Sequence, residues 1–182
     1  SGIQFGRPCL EDEYVNFYVS ESGLANLQTK RGCPYNCAYC SYPFLEGKKI
    51  RARPVEAVVS DLERMVRDYK ITHVFFTDSV FNDHEGHFLL LAEELVRKKL
   101  PLRWCAFFRP SGLKEKDLIL LKRAGLHAME LGTDASTDRT LKGLNKNFIF
   151  EEVIKFNNMC VKQEIPCAHF IIFGGPGETD TT

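Results

Sequence analysis

"RGCPYNCAYC", residues 31–40, places cysteines at 33, 37 and 40 with no fourth cysteine beside them. The preceding "LANLQTK" (24–30) reads as a strand, so the thiols fall on the loop that leaves a strand's carboxyl end. A structural zinc site takes four protein ligands, often from two C-x2-C knuckles, and there is no second knuckle in this chain. Iron–sulfur clusters are held by thiolates. Three thiols on one tight loop, with Pro34 and Asn36 to help it turn, suit a 4Fe-4S cube with one iron left open. The plainer alternatives are three incidental thiols, or one disulfide and a spare.

The position of this loop matters because strands and helices alternate along the rest of the chain. Strand-like runs recur at 73–79 ("HVFFTDS"), 102–108 ("LRWCAFF"), 127–133 ("HAMELGT") and 167–175 ("CAHFIIFGG"). Between the strand at 24–30 and that at 73–79, Pro54 opens a helical stripe through Val55, Val58, Val59, Leu62, Met65, Val66 and Tyr69. A second helix spans about 86–99, a third 114–125 with Gly125 as its stop, and a short one 137–143. Asn147 is expected to cap a further helix with Ile149, Val153, Phe156 and Cys160 on its inner face. This alternation predicts an α/β fold with a parallel sheet and right-handed crossovers. Its apolar strands predict cover on both faces. Five strands fit either a doubly wound sheet or part of a barrel, and both put function at the carboxyl ends of the strands.

Composition narrows the function. The chain has 182 residues, enough for one domain with a real core, and its Lys and Arg balance its Asp and Glu at 24 each. No basic field points to nucleic acid, no apolar run is long enough to span a membrane, and no signal sequence opens the chain. Seven cysteines, mostly scattered, do not read as a secreted disulfide framework and point to a reducing, cytoplasmic setting. The chain opens "SGIQFG" without a Met and closes "GGPGETDTT". Residues 1–20 are therefore expected to be a lead-in from an upstream domain, and residues 21–182 a core domain cut after its fifth strand.

"RGCPYNCAYC" resembles the signature of the radical S-adenosylmethionine (radical SAM) superfamily, C-x3-C-x-Φ-C, with Tyr39 as the aromatic Φ. The resemblance runs over about residues 24–182 and implies a partial TIM barrel of the (β/α)6 type. It implies that Cys33, Cys37 and Cys40 hold a 4Fe-4S cluster whose open iron binds the amino and carboxylate groups of SAM. An electron from the reduced cluster would then cleave SAM to methionine and a 5′-deoxyadenosyl radical, which takes a hydrogen atom from a substrate. It implies roles at the other strand ends too. Asp78, in place of the family's Gly-Gly-Glu-like turn, would accept from the SAM ammonium, with an ordinary Asx turn as the alternative. Arg109 would reach a carboxylate or another anion, with a surface arginine as the alternative. Asp134 stands where many relatives carry Glu. Glu130, two residues before Gly132, would face the barrel interior. Ile172 would pack on adenine, followed by the turn of Gly174, Gly175 and Glu178. "GGPGET" and "TLKGLNK" (140–146) most resemble members with an upstream cobalamin-binding domain, and the methylthiotransferases. Cobalamin is thus an expectation for a longer protein. A one-electron reductant and an unidentified substrate are the implied partners. The rival reading is a non-catalytic fragment holding zinc or no metal, dimerising through an exposed sheet edge.

Overall fold

The computed structural model describes residues 11–180. Helix α1 (Asp12–Ser22) leads into β1 (Ala25–Leu27), β2 (Lys30–Arg31), α2 (Tyr42–Leu45) and β3 (Arg51–Ala52). From there strands and helices alternate: α3 (Val55–Tyr69), β4 (His73–Phe76), α4 (His87–Lys98), β5 (Arg103–Phe108), α5 (Glu115–Arg123) and β6 (Leu126–Asp134). The chain then runs through α6 (Asp138–Gly143), α7 (Phe150–Lys162) and β7 (Cys167–Ile171).

Helix α3 shows why these segments fold as they do. Pro54 precedes its first residue, and Val58, Val59, Leu62 and Met65 recur at helical spacing and are all buried. Burying each such side chain contributes about 1.5–3 kcal/mol. Lys70 ends the helix in the left-handed region, φ 56°, with its N–H on the Met65 carbonyl. Gly125 ends the turn after α5 at φ 99°, where a Cβ would sit 2.3 Å from the Leu102 carbonyl oxygen. The glycine is thus needed for close backbone approach as well as for its conformation.

Five strands form one parallel sheet in the order β1-β4-β5-β6-β7, which is chain order. Each strand packs beside the next with a helix between, as in an opened barrel, and not with the strand-order reversal of a doubly wound sheet. The two faces of the sheet are covered differently. In β5, Trp104, Ala106 and Phe108 are buried while Arg103, Cys105 and Phe107 are not. In β6, Met129 and Leu131 are buried while Ala128, Glu130 and Gly132 are partly open. Helices cover one face, and the other is the concave interior. Continuous apolar sequence arises there because the interior is lined by its own aromatics: Phe75 lies 5.0 Å from Phe107, and Phe107 lies 6.1 Å from Phe170. Glu130 shares this inner face by alternation.

Two local expectations also change. "LANLQTK" does not form one strand: β2 leaves the sheet and pairs antiparallel with β3. The resulting two-stranded ribbon brackets the whole cysteine loop. Ile149, not Asn147, stands at the start of α7, its N–H donating to Glu152 Oε2 at 3.0 Å. Ile149 is consequently exposed, and Val153, Phe156 and Cys160 alone form the buried stripe. Glu152 reaches back to accept from the Ile149 N–H, the reciprocal half of a capping box.

Candidate active site

The cysteine loop leaves the sheet from a fully buried anchor. The N–H groups of Thr29 and Lys30 donate to Asp78 Oδ1 at 2.7 and 3.2 Å, and the Thr29 hydroxyl donates to Asp78 Oδ2. Lys30 Nζ lies 3.1 Å from Asp78 Oδ2 and 3.3 Å from Asp83 Oδ2, and donates to the Phe81 carbonyl at 2.8 Å. Its ammonium also sits 5.0 Å over the Phe81 ring. A lysine with so little exposed surface is held only because two carboxylates, a carbonyl and a ring face surround it. The Asp78 carboxylate is therefore engaged by the chain's own donors. Asp83, read from sequence as loop, is the second acid of this anchor.

Beyond the anchor the loop is pressed against residues 47–49. Gly32 has φ 89°, and a Cβ there would come 2.1 Å from the Lys49 carbonyl oxygen. The Cys33 N–H donates to the Gly47 carbonyl at 3.1 Å, and the Cys40 N–H to the Cys37 carbonyl at 3.1 Å. The Ala38 N–H donates to the Leu144 carbonyl at 3.0 Å, tying the loop to the end of α6.

Cys33, Cys37 and Cys40 line one cavity of about 490 Å³ at the carboxyl ends of the strands, a size suited to a small-molecule site. Burial pushes the Cys33 thiol up, opposed mainly by the Tyr35 backbone N–H, which favours the thiolate. Among the described residues no three His, Cys, Asp or Glu side chains converge as a single-ion site. The three thiols share the wall of one cavity, where as thiolates they would hold an iron–sulfur cluster. All six described cysteines are free thiols.

Opposite the loop, Asp134 closes β6 with φ 65°, a left-handed position that Asp tolerates better than most residues. The Tyr39 hydroxyl donates to Asp134 Oδ2 at 2.5 Å and accepts from Lys146 Nζ at 3.1 Å, while Lys146 pairs directly with Asp134. Burial first, and the Asp134 carboxylate second, push the Tyr39 phenol up, so it remains a donor. Arg109 is held between two rings, its guanidinium carbon 4.3 Å from the Tyr35 ring centre and 4.7 Å from that of Phe148. Its Nε donates to Ser111 Oγ at 2.9 Å.

The cavity thus gathers Cys33, Cys37, Cys40, Tyr39, Asp78, Arg109, Asp134 and Ile172. It does not gather Gly174, Gly175 or Glu178 among its lining residues. Glu178 Oε2 accepts from the Gly175 N–H at 2.8 Å and closes its own turn, and a Cβ on Gly175 would lie 2.9 Å from Thr140 Cγ2. This turn packs on α6. Sequence reasoning missed Lys146, which lies within "TLKGLNK" but carries no spacing signal linking it to Asp134. It also missed Tyr35, which stacks on Arg109 from within the cysteine loop.

The fold and cavity define an opened parallel α/β barrel with three free cysteines on its first loop, at the carboxyl edge of the sheet. The radical SAM superfamily family matches residues 27–182, and the chain belongs to that superfamily, whose enzymes use a 4Fe-4S cluster and SAM. The chain is 28% identical over 176 residues to the tryptophan 2-C-methyltransferase of Streptomyces laurentii, covering 89% of this chain and 29% of that protein. It is 27% identical over 153 residues to an uncharacterized methyltransferase of Pyrococcus horikoshii, covering 84% of this chain and 33% of that protein. Among solved structures it resembles the radical SAM methyltransferase TsrM from Kitasatospora setae with cobalamin and a [4Fe-4S] cluster bound, with TM-score 0.83 and 28% identity, covering 91% of this chain and 34% of that one. The chain spans about a third of the length of these relatives.

Proposed function

We propose that this chain is the catalytic core of a radical SAM enzyme, binding a 4Fe-4S cluster through Cys33, Cys37 and Cys40 and SAM in the adjoining cavity. The observation that carries this reading is that all three cysteines line one cavity together with Asp134, Arg109 and Ile172. Cys33, Cys37 and Cys40 would hold the cluster, which when bound would supply an electron for the reductive cleavage of SAM.

The chain's own residues prepare that chemistry. The Lys30–Asp78–Asp83 anchor fixes the origin of the loop, and Ser79 donates to the Gly32 carbonyl at 3.2 Å beside Cys33. Tyr39, Asp134 and Lys146 clamp the loop's far end to β6. Phe107, Phe170 and Ile172 give the cavity an apolar wall that excludes water from reactive species. Arg109 offers a cation, pre-oriented by two rings, to a carboxylate of SAM or an anionic group of the substrate.

A second reading of the reaction outcome is methyl transfer, favoured because both relatives above are named methyltransferases. Cobalamin, bound in the TsrM structure, is then proposed for the longer protein. The two readings separate by product. Anaerobic incubation of the reconstituted protein with SAM and a reductant yields 5′-deoxyadenosine and methionine if SAM is split for hydrogen abstraction, and S-adenosylhomocysteine if a methyl group leaves. Neither product, from a chain carrying its full iron, contradicts both. Zinc in place of iron, in metal analysis of the same sample, supports the non-catalytic fragment instead.

No helix among the described residues is long and apolar enough to cross a membrane. We place the enzyme in the cytoplasm on the strength of its free thiols. The proposed homodimer of the chain would use the open edge at β7, where Phe170 and Ile171 are exposed. Sizing of the chain with and without Phe170→Ser tests that.

A further inference from the structure

We propose that the concave face of the sheet around Glu130 seats the substrate, and that it selects a small apolar molecule carrying a protonated amine. This rests on the function proposed above, since it presumes SAM in the adjoining cavity.

Glu130 stands in the middle of β6, on the inner face with Ala128 and Gly132. Its register partners are Phe107 on β5 and Ala168 on β7. Gly132, two residues on and about 7 Å along the strand, lines the cavity that gathers the three cysteines. Ala128, Gly132 and Ala168 are small and leave room beside the carboxylate. Phe107 is 39% exposed and Phe170 47%, both on this face. Phe107 meets the Phe75 ring edge-on at 5.0 Å and the Phe170 ring at 6.1 Å. Phe107 and Phe170 also line the cysteine cavity, so one aromatic wall runs from that cavity to Glu130.

Among the described residues no ion pair or hydrogen bond holds Glu130. The basic groups of the same face are engaged or distant. Arg103 stands four residues before Phe107, about 13 Å along β5. Arg109 lies between two rings and donates to Ser111 Oγ. Lys146 pairs with Asp134, and His73 meets His127 at the amino ends of their strands. The charge of Glu130 is felt across the face, where it adds to burial in pushing the Cys105 thiol up.

A carboxylate set in an aromatic wall, with no cation of its own, is complemented by an ammonium on an apolar body. The ammonium gains the carboxylate and the ring faces together, and the body covers the phenylalanines. An anionic substrate would meet Glu130 as a like charge. A metal ion is the poorer occupant, because a lone carboxylate supplies too few ligands.

The test titrates 2-phenylethylamine, 2-phenylethanol and phenylacetate against the chain, before and after iron loading, by saturation-transfer nuclear magnetic resonance. The amine is expected to bind about tenfold more tightly than the alcohol, and phenylacetate more weakly than either. Glu130→Gln lowers the affinity for the amine about tenfold and leaves that for the alcohol unchanged. Phe107→Ala weakens both. Thermal unfolding of Glu130→Gln is expected at or above the parent temperature, because no partner in the folded chain is lost; a clear fall would make Glu130 a structural residue and overturn the proposal. SAM affinity, read from the change SAM makes in the electron paramagnetic resonance signal, is expected to be the same in Glu130→Gln. A loss there would assign the carboxylate to SAM and overturn the proposal as well. So would an amine that binds no better than the alcohol, or not at all. A chain that loads no iron fails the proposed function, while titration of the unloaded chain still reads the subsite. A chain that loads iron and responds to SAM, but does not distinguish amine from alcohol, fails this proposal alone.

Discussion

The Tyr39 hydroxyl meets the Asp134 carboxylate at 2.5 Å, joining the cysteine loop to the end of β6 across 95 residues of sequence. Lys146, from the connection between α6 and α7, completes the contact by touching both. The Lys146–Asp134 pair is buried while half of Tyr39 is exposed, so the ion pair carries most of the clamp. Tyr39→Phe is expected to cost about 0.5–1.5 kcal/mol, because half of Tyr39 is exposed and water competes for its hydrogen bond. Lys146→Met strands the Asp134 carboxylate and is expected to cost about 3–5 kcal/mol. Urea unfolding of the two single variants and the double variant checks this, and a double variant equal to the sum of the singles contradicts the clamp.

Asp78 separates an anchoring role from a ligand role. It serves Thr29 and Lys30 through both oxygens and is wholly buried. Asp78→Ala is expected to lower stability by about 3–5 kcal/mol, because the Lys30 ammonium loses one of its two carboxylates. Iron loading should fall with it, since the loop's origin is no longer held. An unchanged unfolding midpoint together with weakened SAM binding would instead assign Asp78 to SAM.

Two glycines of similar geometry should behave differently. Gly32 and Gly125 have φ values of 89° and 99°, and a Cβ on either would overlap a backbone carbonyl. Alanine at either position is expected to destabilise the fold by about 2–3 kcal/mol. Gly32→Ala displaces the residue before Cys33 and should also lower the iron bound per chain at saturation. Gly125→Ala, at the opposite edge of the sheet beside Leu102, should leave iron binding intact in whatever fraction is folded. Equal loss of iron in both variants would contradict the local role of Gly32.

The fold was legible where periodicity is strong. The buried stripe of α3 and the short apolar strands β4 and β5 stand in the sequence because helical spacing and apolar runs leave direct marks. The ribbon of β2 and β3 leaves none: two-residue strands carrying Lys30, Arg31 and Arg51 have no alternation to read. Ile149 at the start of α7 was hidden because the cap comes from Glu152, which a search for a capping side chain at 147 passes over. In the site, the three cysteines announce themselves by spacing, and Asp134 by its place at a strand end. The partners of Asp78 lie 48 and 49 residues away, and Lys146 lies 107 residues from Tyr39. Such pairings depend on how strands and loops are brought together, and local pattern carries no trace of them.

The central claim is that Cys33, Cys37 and Cys40 hold a cluster with one iron open to SAM. Electron paramagnetic resonance of the reconstituted, reduced protein, recorded with and without SAM, tests it most directly. The account predicts a reduced 4Fe-4S signal whose g values shift when SAM is added, and which is absent in Cys37→Ala. A signal indifferent to saturating SAM, or one that survives in Cys37→Ala, would contradict it.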